Sequence, residues 1–285
     1  MLSGITFRAL KAKEILKVAE MKANMNHTFV ICAYKESPFL EECVKSLLAQ
    51  SESSVIKLAT STPNDYIIHI SQKYNIDMYV NDGEKGIAGD WNFAYSLTDT
   101  EYVTIAHQDD IYESEYAKRV LEKLNTCRKK PLIAFTDYGE IKYGKREKST
   151  ALLKIKRMLL LPIRPNCMQN KKWIKRGILS LGNPICCPSV TYARKNIPDK
   201  LFMTHFRSNV DWETWDRLSK LDGSFVYCKD VLMFHRIHEG SETSSVINEN
   251  KRGQEDYEMF QKFWPRFIEK MLTKKYASSE KYNKG

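Results

Sequence analysis

The sequence predicts an α/β fold, a Rossmann-like and mostly parallel sheet with helices on both faces, followed by a helical C-terminal tail. The main observation is that short apolar runs alternate with amphipathic segments through the first half of the 285 residues. Composition agrees, because 42% hydrophobic and 28% charged residues are typical of a globular chain and exclude a disordered one. Repeated strand–helix units imply right-handed crossovers, which bring the carboxyl ends of the strands to one edge.

The first half contains five runs of strand length, and four of them are followed by a helical pattern. The first run leads into Pro38 and then into Leu40, Val44 and Leu47 at helical spacing. We expect strands at residues 28–34, 55–59, 78–80, 102–106 and 132–135. We expect helices at residues 40–48, 63–74, 87–96 and 114–124.

The second half is less regular. Helices are expected at residues 152–161, 170–179 and 211–221, and strands at 189–192, 225–228 and 231–237. Aromatic residues recur at helical intervals between 248 and 272, with a bend at Pro265. The chain is expected to divide into an N-terminal helical segment 1–26, a domain 27–245 with halves 27–140 and 141–245, and a tail 246–285.

The net charge of +10 is concentrated in residues 142–176, which contain 12 Lys or Arg residues and a single acid, Glu147. This stretch interleaves cations with large apolar residues, a pattern typical of contact with an anionic membrane surface. The alternative is a solvated loop whose Leu and Ile residues fill a local core. Nucleic acid is not expected as a partner, because no nucleic-acid-binding motif accompanies the charge.

The sequence favours a cytoplasmic protein, with peripheral attachment at the inner face of the cell membrane as an option. No run approaches the ~18 consecutive apolar residues that a spanning helix needs. The first residues mix charges into the apolar positions, unlike a secretory signal. The seven cysteines show no C-x-x-C pair and no disulfide framework, as expected in a reducing compartment.

Two adjacent carboxylates, Asp109 and Asp110, follow the fourth predicted strand. Ligands of parallel α/β sheets bind beyond the carboxyl ends of the strands. Carboxylate oxygens at such a position can hold a divalent cation that bridges the phosphates of a substrate. The alternative is that one of the two caps the helix beginning near Ser114.

Five motifs follow one another between residues 27 and 245. They are Ala33-Tyr-Lys-Glu continuing into Pro38-Phe-Leu-Glu-Glu-Cys, Gly86-Ile-Ala-Gly-Asp-Trp-Asn, the Asp109-Asp110 pair, Asp211-Trp-Glu-Thr-Trp-Asp-Arg and Arg236-Ile-His-Glu-Gly-Ser. In this order they resemble the family-2 glycosyltransferases of the GT-A fold, inverting enzymes here expected to be of the bacterial surface-polysaccharide type. The resemblance implies that residues 27–140 bind a nucleotide diphosphate sugar and residues 141–245 bind the acceptor.

The resemblance also implies roles for individual residues. Those expected to line the nucleotide base and ribose are Ala33, Tyr34 and Glu36. Asp109 would reach the ribose or a phosphate, and Asp110 would hold Mn²⁺ or Mg²⁺. His238 would be a further metal ligand or a diphosphate contact, and Arg236 would pair with phosphate.

Three positions depart from the family pattern. The acidic loop after the second strand reads Thr60-Ser-Thr here, so the carboxylate that usually reads uracil is absent. By position, Thr60 stays on the nucleotide side, and Asp90 or Asp82 could supply the missing contact. Trp91 stands where the family often has a basic residue, and His107 stands where its first aspartate is common.

Asp211 matches the family's catalytic base at the start of a helix, and the alternative is that it caps this helix. Glu213 on the same helix is the next candidate for the base. Trp212 and Trp215 would either stack on a sugar or a lipid-linked acceptor, or belong to the core.

The expected reaction is transfer of a sugar, with inversion, from a nucleotide diphosphate sugar to a hydroxyl of a glycan or lipid-linked acceptor, in the synthesis of a cell-surface polysaccharide or glycoconjugate. Asp211 would accept the proton of the attacking hydroxyl. A divalent metal would neutralise the departing diphosphate. One alternative is a membrane-surface or nucleic-acid-binding protein without catalysis. The other is a sugar nucleotidyltransferase, although the Gly-rich phosphate loop of that class is missing after the first strand.

Overall fold

The computed structural model describes residues 25–238 and 251–281. These residues contain a nine-stranded sheet in the order β3-β2-β1-β4-β8-β6-β9-β5, with β7 paired to β6. The strands are β1 His27–Ala33, β2 Val55–Thr60, β3 Asp77–Val80, β4 Tyr102–His107, β5 Ile111–Tyr112, β6 Pro131–Lys142, β7 Lys145–Glu147, β8 Val190–Ala193 and β9 Ser224–Ile237.

Nine α-helices lie in the same described residues. They are α1 Leu40–Leu48, α2 Asp65–Lys73, α3 Ile87–Ser96, α4 Tyr116–Asn125, α5 Ala151–Leu159, α6 Lys172–Gly177, α7 Val210–Ser219, α8 Lys251–Gln261 and α9 Arg266–Lys281. Side-chain caps fix two of the starts. Asn64 accepts from the backbone N–H of Ile67 ahead of α2, and Thr150 accepts from that of Leu153 ahead of α5.

The prediction of an α/β fold is confirmed, and the sheet is mixed. Strands β1 to β4 pair in parallel, as the strand–helix alternation predicts. Beyond β4, the short strand β8 runs antiparallel to both β4 and β6, whereas β6 and β9 are parallel. The pattern of the second half did not reveal this reversal, because β8 has only four residues and the segment between β6 and β8 is irregular.

The register of the parallel half aligns the carboxyl ends of three strands. Ala33 at the end of β1 is opposite Thr60 at the end of β2, and Cys32 is opposite His107 at the end of β4. The loops that follow β1, β2 and β4 therefore lie at the same edge. This is the edge where ligands of such sheets bind.

Strand β9 is longer than expected. The sequence predicts two strands, 225–228 and 231–237, but they form one strand that pairs with β6 from Ser224 to Ile237 through several register shifts. Its last part also pairs with β5, where Ile111 is opposite Phe234. This pairing brings the residues after Phe234 against the loop between β4 and β5.

The tryptophans of α7 belong to the core. Trp212 and Trp215 are both fully buried, and the Trp215 ring stacks on Tyr192 at a centroid distance of 5.9 Å. The Trp212 indole donates to the carbonyl oxygen of Leu179 at 3.0 Å. Of the two alternatives for these residues, the core is confirmed and stacking on a sugar is wrong, because both side chains are fully buried.

The C-terminal tail folds into α8 and α9, which are separated at Pro265, where a bend is predicted. Met259 and Phe260 of α8 are buried against the domain. Apart from residues 25 and 26, the predicted N-terminal helical segment lies outside the described residues, and so does the boundary placed at 245. Within residues 25–238 and 251–281, no helix has both the length and the apolarity to cross a membrane.

Candidate active site

The Asp109-Asp110 pair lies in the turn between β4 and β5, and the two carboxylates have different surroundings. Asp110 is 1% exposed and points towards β9. Its Oδ1 accepts the backbone N–H of Arg236 at 2.9 Å and lies 3.0 Å from His235 Nδ1. Asp110 thus ties the end of β4 to the end of β9.

The Asp110–His235 pair is electrostatically coupled. Burial alone would raise the pKa of Asp110, but the charge and hydrogen bond of His235 outweigh burial and hold this pKa below its usual value. Burial alone would lower the pKa of His235, and the Asp110 carboxylate raises it above its usual value. The pair is therefore favoured in its charged form.

Asp109 faces outward, towards His238. Its Oδ1 accepts from the Ser37 hydroxyl at 2.6 Å, and its Oδ2 lies 3.1 Å from His238 Nε2. The side chains of Asp109 and His238 are 21% and 24% exposed, so solvent reaches both. The Phe39 ring packs edge-on against the imidazole at a centroid distance of 5.1 Å.

Arg236 holds this edge together. Its Nε donates to the carbonyl oxygen of Asp109 at 2.9 Å, and its guanidinium bonds Glu42 Oε2 at 2.5 Å. The guanidinium also lies over the Phe39 ring, 4.2 Å from the centroid. These contacts make Arg236 a support for the loops after β1 and β4, in addition to the phosphate contact predicted for it.

Neither aspartate caps the next helix. The N-cap position of α4 is Glu115, and no side chain caps that helix end. The alternative that one of the pair caps this helix is therefore wrong. Asp109 and Asp110 instead bond Ser37 and the end of β9.

Gln108, which sequence reasoning missed, fixes the loop after β1. Its Oε1 accepts the Tyr34 N–H at 3.0 Å, and its Nε2 donates to the Tyr34 carbonyl at 2.9 Å. Tyr34 and Glu36 are exposed beside this clamp, whereas Ala33 is buried. Two hydrogen bonds thus hold the backbone of Tyr34 to the turn between β4 and β5, and its side chain faces solvent.

The loop after β2 is closed by hydrogen bonds to α3. Asp90 accepts from the Ser61 hydroxyl at 2.9 Å through Oδ2 and from Asn81 Nδ2 at 2.8 Å through Oδ1. Thr60 is buried and accepts the Thr62 N–H at 3.1 Å. Asp90 therefore lies beside the loop where the family's acidic contact is missing, while Asp82 is exposed on the next loop.

The second glycine of Gly86-Ile-Ala-Gly has a steric role at this edge. A Cβ on Gly89 would lie 2.2 Å from the carbonyl oxygen of Glu84, so only glycine lets that loop approach α3 so closely. Two further departures from the family pattern lie nearby and contact each other. The Trp91 and His107 rings stack at 5.1 Å. Burial lowers the pKa of His107, which favours its neutral form.

Asp211 lies in the first turn of α7 and is not its cap, because the N-cap position is Asn209. Its Oδ2 accepts from Asn183 Nδ2 at 2.7 Å, and its Oδ1 accepts from the Trp212 N–H at 2.7 Å. Burial and then the charges of Asp110 and Asp211 raise the pKa of the Cys186 thiol.

The C-terminal tail supports the start of α7. Glu255 on α8 accepts the backbone N–H groups of three successive residues, Arg207, Ser208 and Asn209, at 2.8 to 2.9 Å. Burial would raise the pKa of Glu255, but these hydrogen bonds and that of the Ser208 hydroxyl lower it overall. No local sequence pattern predicts this contact, because the two segments are far apart in the chain.

The side chains of Asp109, Asp110 and His238 carry oxygen and nitrogen atoms of the kinds that bind a divalent cation, although these atoms are few. Among the residues that the structure describes, Asp110 Oδ2 is buried and has no hydrogen-bond partner, and Asp109 and His238 offer an oxygen and a nitrogen that solvent can reach. Within residues 25–238 and 251–281, no three His, Cys, Asp or Glu side chains are grouped to hold a metal. A cation here fits only if a ligand supplies further oxygens.

The family model described as glycosyl transferase family 2 matches residues 28–192, more than half of the chain. The chain belongs to glycosyl transferase family 2. The match includes Asp109 and Asp110 but ends before α7, so Asp211 and His238 lie outside it. No curated protein sequence matches the chain.

Solved glycosyltransferase structures share the GT-A fold of this family-2 chain. The S. aureus TarS 1–349 structure in complex with UDP-GlcNAc is 16% identical with a TM-score of 0.59, and the match covers 78% of this chain and 61% of that one. The mannosyltransferase PcManGT from Pyrobaculum calidifontis, in complex with GDP-Man and Mn²⁺, is 13% identical with a TM-score of 0.58; here the shares are 88% and 69%. At these identities the likeness shows the fold alone.

Proposed function

We propose that this chain transfers a sugar, with inversion, from a nucleotide diphosphate sugar to an acceptor hydroxyl. The observation that carries the proposal is the pairing of Asp109 with His238 at the carboxyl edge of the sheet, with Asp211 held by Asn183 in the first turn of α7. Family membership and the donors named for TarS and PcManGT support it. We further propose that the acceptor belongs to a cell-surface polysaccharide or glycoconjugate.

The donor is proposed to lie along the loops after β1, β2 and β4. Tyr34 is the exposed ring available to the base, and Gln108 holds its backbone in place. Asp90 and Thr60 lie at the loop that replaces the family's acidic one. The base contact therefore differs from the uracil-reading carboxylate of the family pattern, and this chain's own Asp90 is its proposed substitute.

For the cation, the geometry favours Asp109 and His238 as direct ligands, with Asp110 behind them. One oxygen of Asp110 is already engaged by His235 and the Arg236 N–H, whereas the Asp109 carboxylate faces solvent. Mg²⁺-type sites commonly combine one or two carboxylates with substrate phosphates. When bound, Mn²⁺ or Mg²⁺ would offset the charge on the diphosphate leaving group.

Asp211 is the proposed general base. Asn183 and the Trp212 N–H fix the orientation of its carboxylate. The acceptor hydroxyl would give its proton to Asp211 while its oxygen bonds the anomeric carbon and the bond to the diphosphate breaks. A single displacement of this kind inverts the anomeric configuration.

A thermal-shift screen of nucleoside diphosphates and their sugars, with Mn²⁺ or with EDTA, tests this proposal. We expect at least one nucleoside diphosphate to stabilise the protein only when the cation is present. A ligand at 100 times its Kd stabilises by about 2.7 kcal/mol, which such a screen resolves. Stabilisation by a nucleoside triphosphate and a sugar phosphate, with release of pyrophosphate, would instead indicate a sugar nucleotidyltransferase.

A further inference from the structure

Helix α5, the turn after it and helix α6 expose four large apolar side chains. Ile155 and Met158 on α5 are 51% and 59% exposed, Leu161 in the turn is 47% exposed, and Trp173 on α6 is 69% exposed. We call these four side chains the apolar patch. The turn at residues 161–163 contacts both helices, so the patch lies on connected surface.

The orientation of α5 is unusual for a surface helix. Two of its three cations point inward, since Lys156 Nζ donates to the Tyr138 hydroxyl at 2.8 Å and Arg157 Nε donates to Asp137 Oδ2 at 3.0 Å. Ile155 and Met158, three residues apart, are left on the solvent side together with Lys154. A helix that exposes large apolar side chains beside a cation suits a partner that accepts both.

Of the two sequence alternatives for this stretch, the structure bears on the local core. Leu153, Leu160 and Ile163 are buried and fill a local core, as the solvated-loop interpretation requires. The apolar patch is not part of that core. Burial of the first set fixes the backbone and thereby presents the second set outward.

The charge around the patch selects the kind of partner. Lys154, Arg164 and Lys171 are exposed next to it, within the stretch that holds 12 basic residues and one acid. A second copy of this chain would bring like charge against like charge. An anionic lipid surface complements the cations and also accepts the Ile, Met, Leu and Trp side chains at headgroup depth.

We propose that the apolar patch and its neighbouring cations dock this protein on an anionic membrane surface. Helix α5 lies close to the candidate site, because Lys156 on its inner side bonds Tyr138, whose partner in β9 is Met233, two residues before His235. Docking through the outer side would place the membrane beside the site. The acceptor class that follows, a lipid-linked one, rests on the proposed function, whereas the docking itself does not.

Vesicle sedimentation of the full chain tests the docking. Binding is expected to vesicles that contain phosphatidylglycerol, to be weak on phosphatidylcholine alone, and to fall with added salt. Lys154→Gln with Lys171→Gln should weaken binding about fivefold for each cation. Ile155→Ser with Met158→Ser should weaken vesicle binding also at high salt, because salt screens the cations but leaves the apolar contribution.

Matched variants elsewhere on the surface serve as controls. Lys123→Gln with Lys129→Gln removes the same charge from another exposed region, and Leu48→Ser removes an apolar side chain that is 50% exposed. We expect both to bind like the unaltered protein. Equal losses in the control and patch variants would overturn the proposal, because they would indicate attraction to the whole protein.

Two further results would also overturn the docking. One is equal binding to neutral and anionic vesicles; the other is sedimentation velocity showing a dimer that the patch variants dissociate, because the patch would then bind a second copy. The thermal-shift measurement with nucleotide and Mn²⁺ is made on the unaltered protein and on the same patch variants. If the unaltered protein binds anionic vesicles but no nucleotide stabilises it, the result contradicts the proposed function and not the docking.

Discussion

Asn183 Nδ2 donates a hydrogen bond to Asp211 Oδ2 over 2.7 Å. The Asn183 amide is itself held, because its Oδ1 accepts the Ile185 N–H at 3.2 Å. The other Asp211 oxygen accepts the Trp212 N–H. The direction of the Asp211 carboxylate is therefore set by a residue outside α7 as well as by the helix itself.

Replacing Asn183 with Ala should lower turnover without changing donor affinity. The carboxylate keeps its charge but loses the partner that orients it, and a small misplacement of a catalytic group can cost up to about 10²-fold in rate. Turnover and donor Kd are measured together, with Asn125→Ala, an exposed amide on α4, as the control. A donor Kd that worsens as much as turnover would show that Asn183 acts on the donor.

Asp211→Asn should lose ~10² to 10⁴ in turnover, the usual contribution of a general base, with the melting temperature and donor Kd nearly unchanged. The amide keeps the shape of the side chain and can still bond Asn183, but it cannot accept the proton. Near-normal transfer by this variant would remove Asp211 from the reaction.

Glu213, the other acid considered for the base, should behave differently. It is 3% exposed, and Arg217 Nε donates to both of its oxygens at 2.9 and 3.0 Å. Glu213→Gln should therefore lower the free energy of unfolding by about 1 to 3 kcal/mol, the cost of disturbing a buried charged hydrogen bond. Chemical denaturation measures this loss, and an unchanged stability with lost turnover would contradict it.

Substitutions of the two adjacent aspartates should also differ, one affecting cation-dependent donor binding and the other stability. Asp109→Asn should abolish the cation dependence of donor binding and leave the melting temperature within the range of surface variants. Asp110→Asn should reduce stability by about 1 to 3 kcal/mol, because it disturbs the buried contacts with His235 and the Arg236 N–H. If Asp110→Asn is stable and has lost only the cation effect, Asp110 is the direct ligand.

Glu255→Gln should destabilise the protein in a pH-dependent way. The pKa of Glu255 is lowered in the folded state, so its contribution is complete above the ordinary value of 4.5 and is lost as pH falls through the folded pKa. The difference in unfolding free energy between the variant and the unaltered protein, about 1 kcal/mol near neutral pH, should shrink in acid. Glu258→Gln, exposed on the same helix, should show no such difference. A difference that persists unchanged in acid would contradict this account.

The parallel half of the sheet and its carboxylate edge could be predicted from sequence, because strand-length runs and helical spacing are local signals. The starts of α1 and α3 agree with the predicted ones, and Asn64 explains why α2 begins two residues later than expected. The mixed half could not be predicted in this way. The pairing of β8 and the continuity of β9 depend on contacts between segments that are distant in the chain.

The same distinction applies to the site. The motif order predicts roles for Asp109, Asp110 and Asp211, but not which of the adjacent aspartates points outward, since this depends on the pairing of β5 with β9. Gln108 and Glu255 were missed because each acts on a segment far from it in sequence. Both make main-chain hydrogen bonds, which no residue pattern displays.

Calorimetric titration tests the central claim most directly. The nucleotide donor found by the thermal-shift screen is titrated into the unaltered protein, Asp109→Asn and Asp211→Asn, each with Mn²⁺ and with EDTA. The account predicts cation-dependent binding to the unaltered protein, loss of that dependence in Asp109→Asn, and unchanged donor affinity in Asp211→Asn together with lost turnover. Donor binding that is the same in all three proteins and in EDTA, with turnover retained by Asp211→Asn, would contradict it.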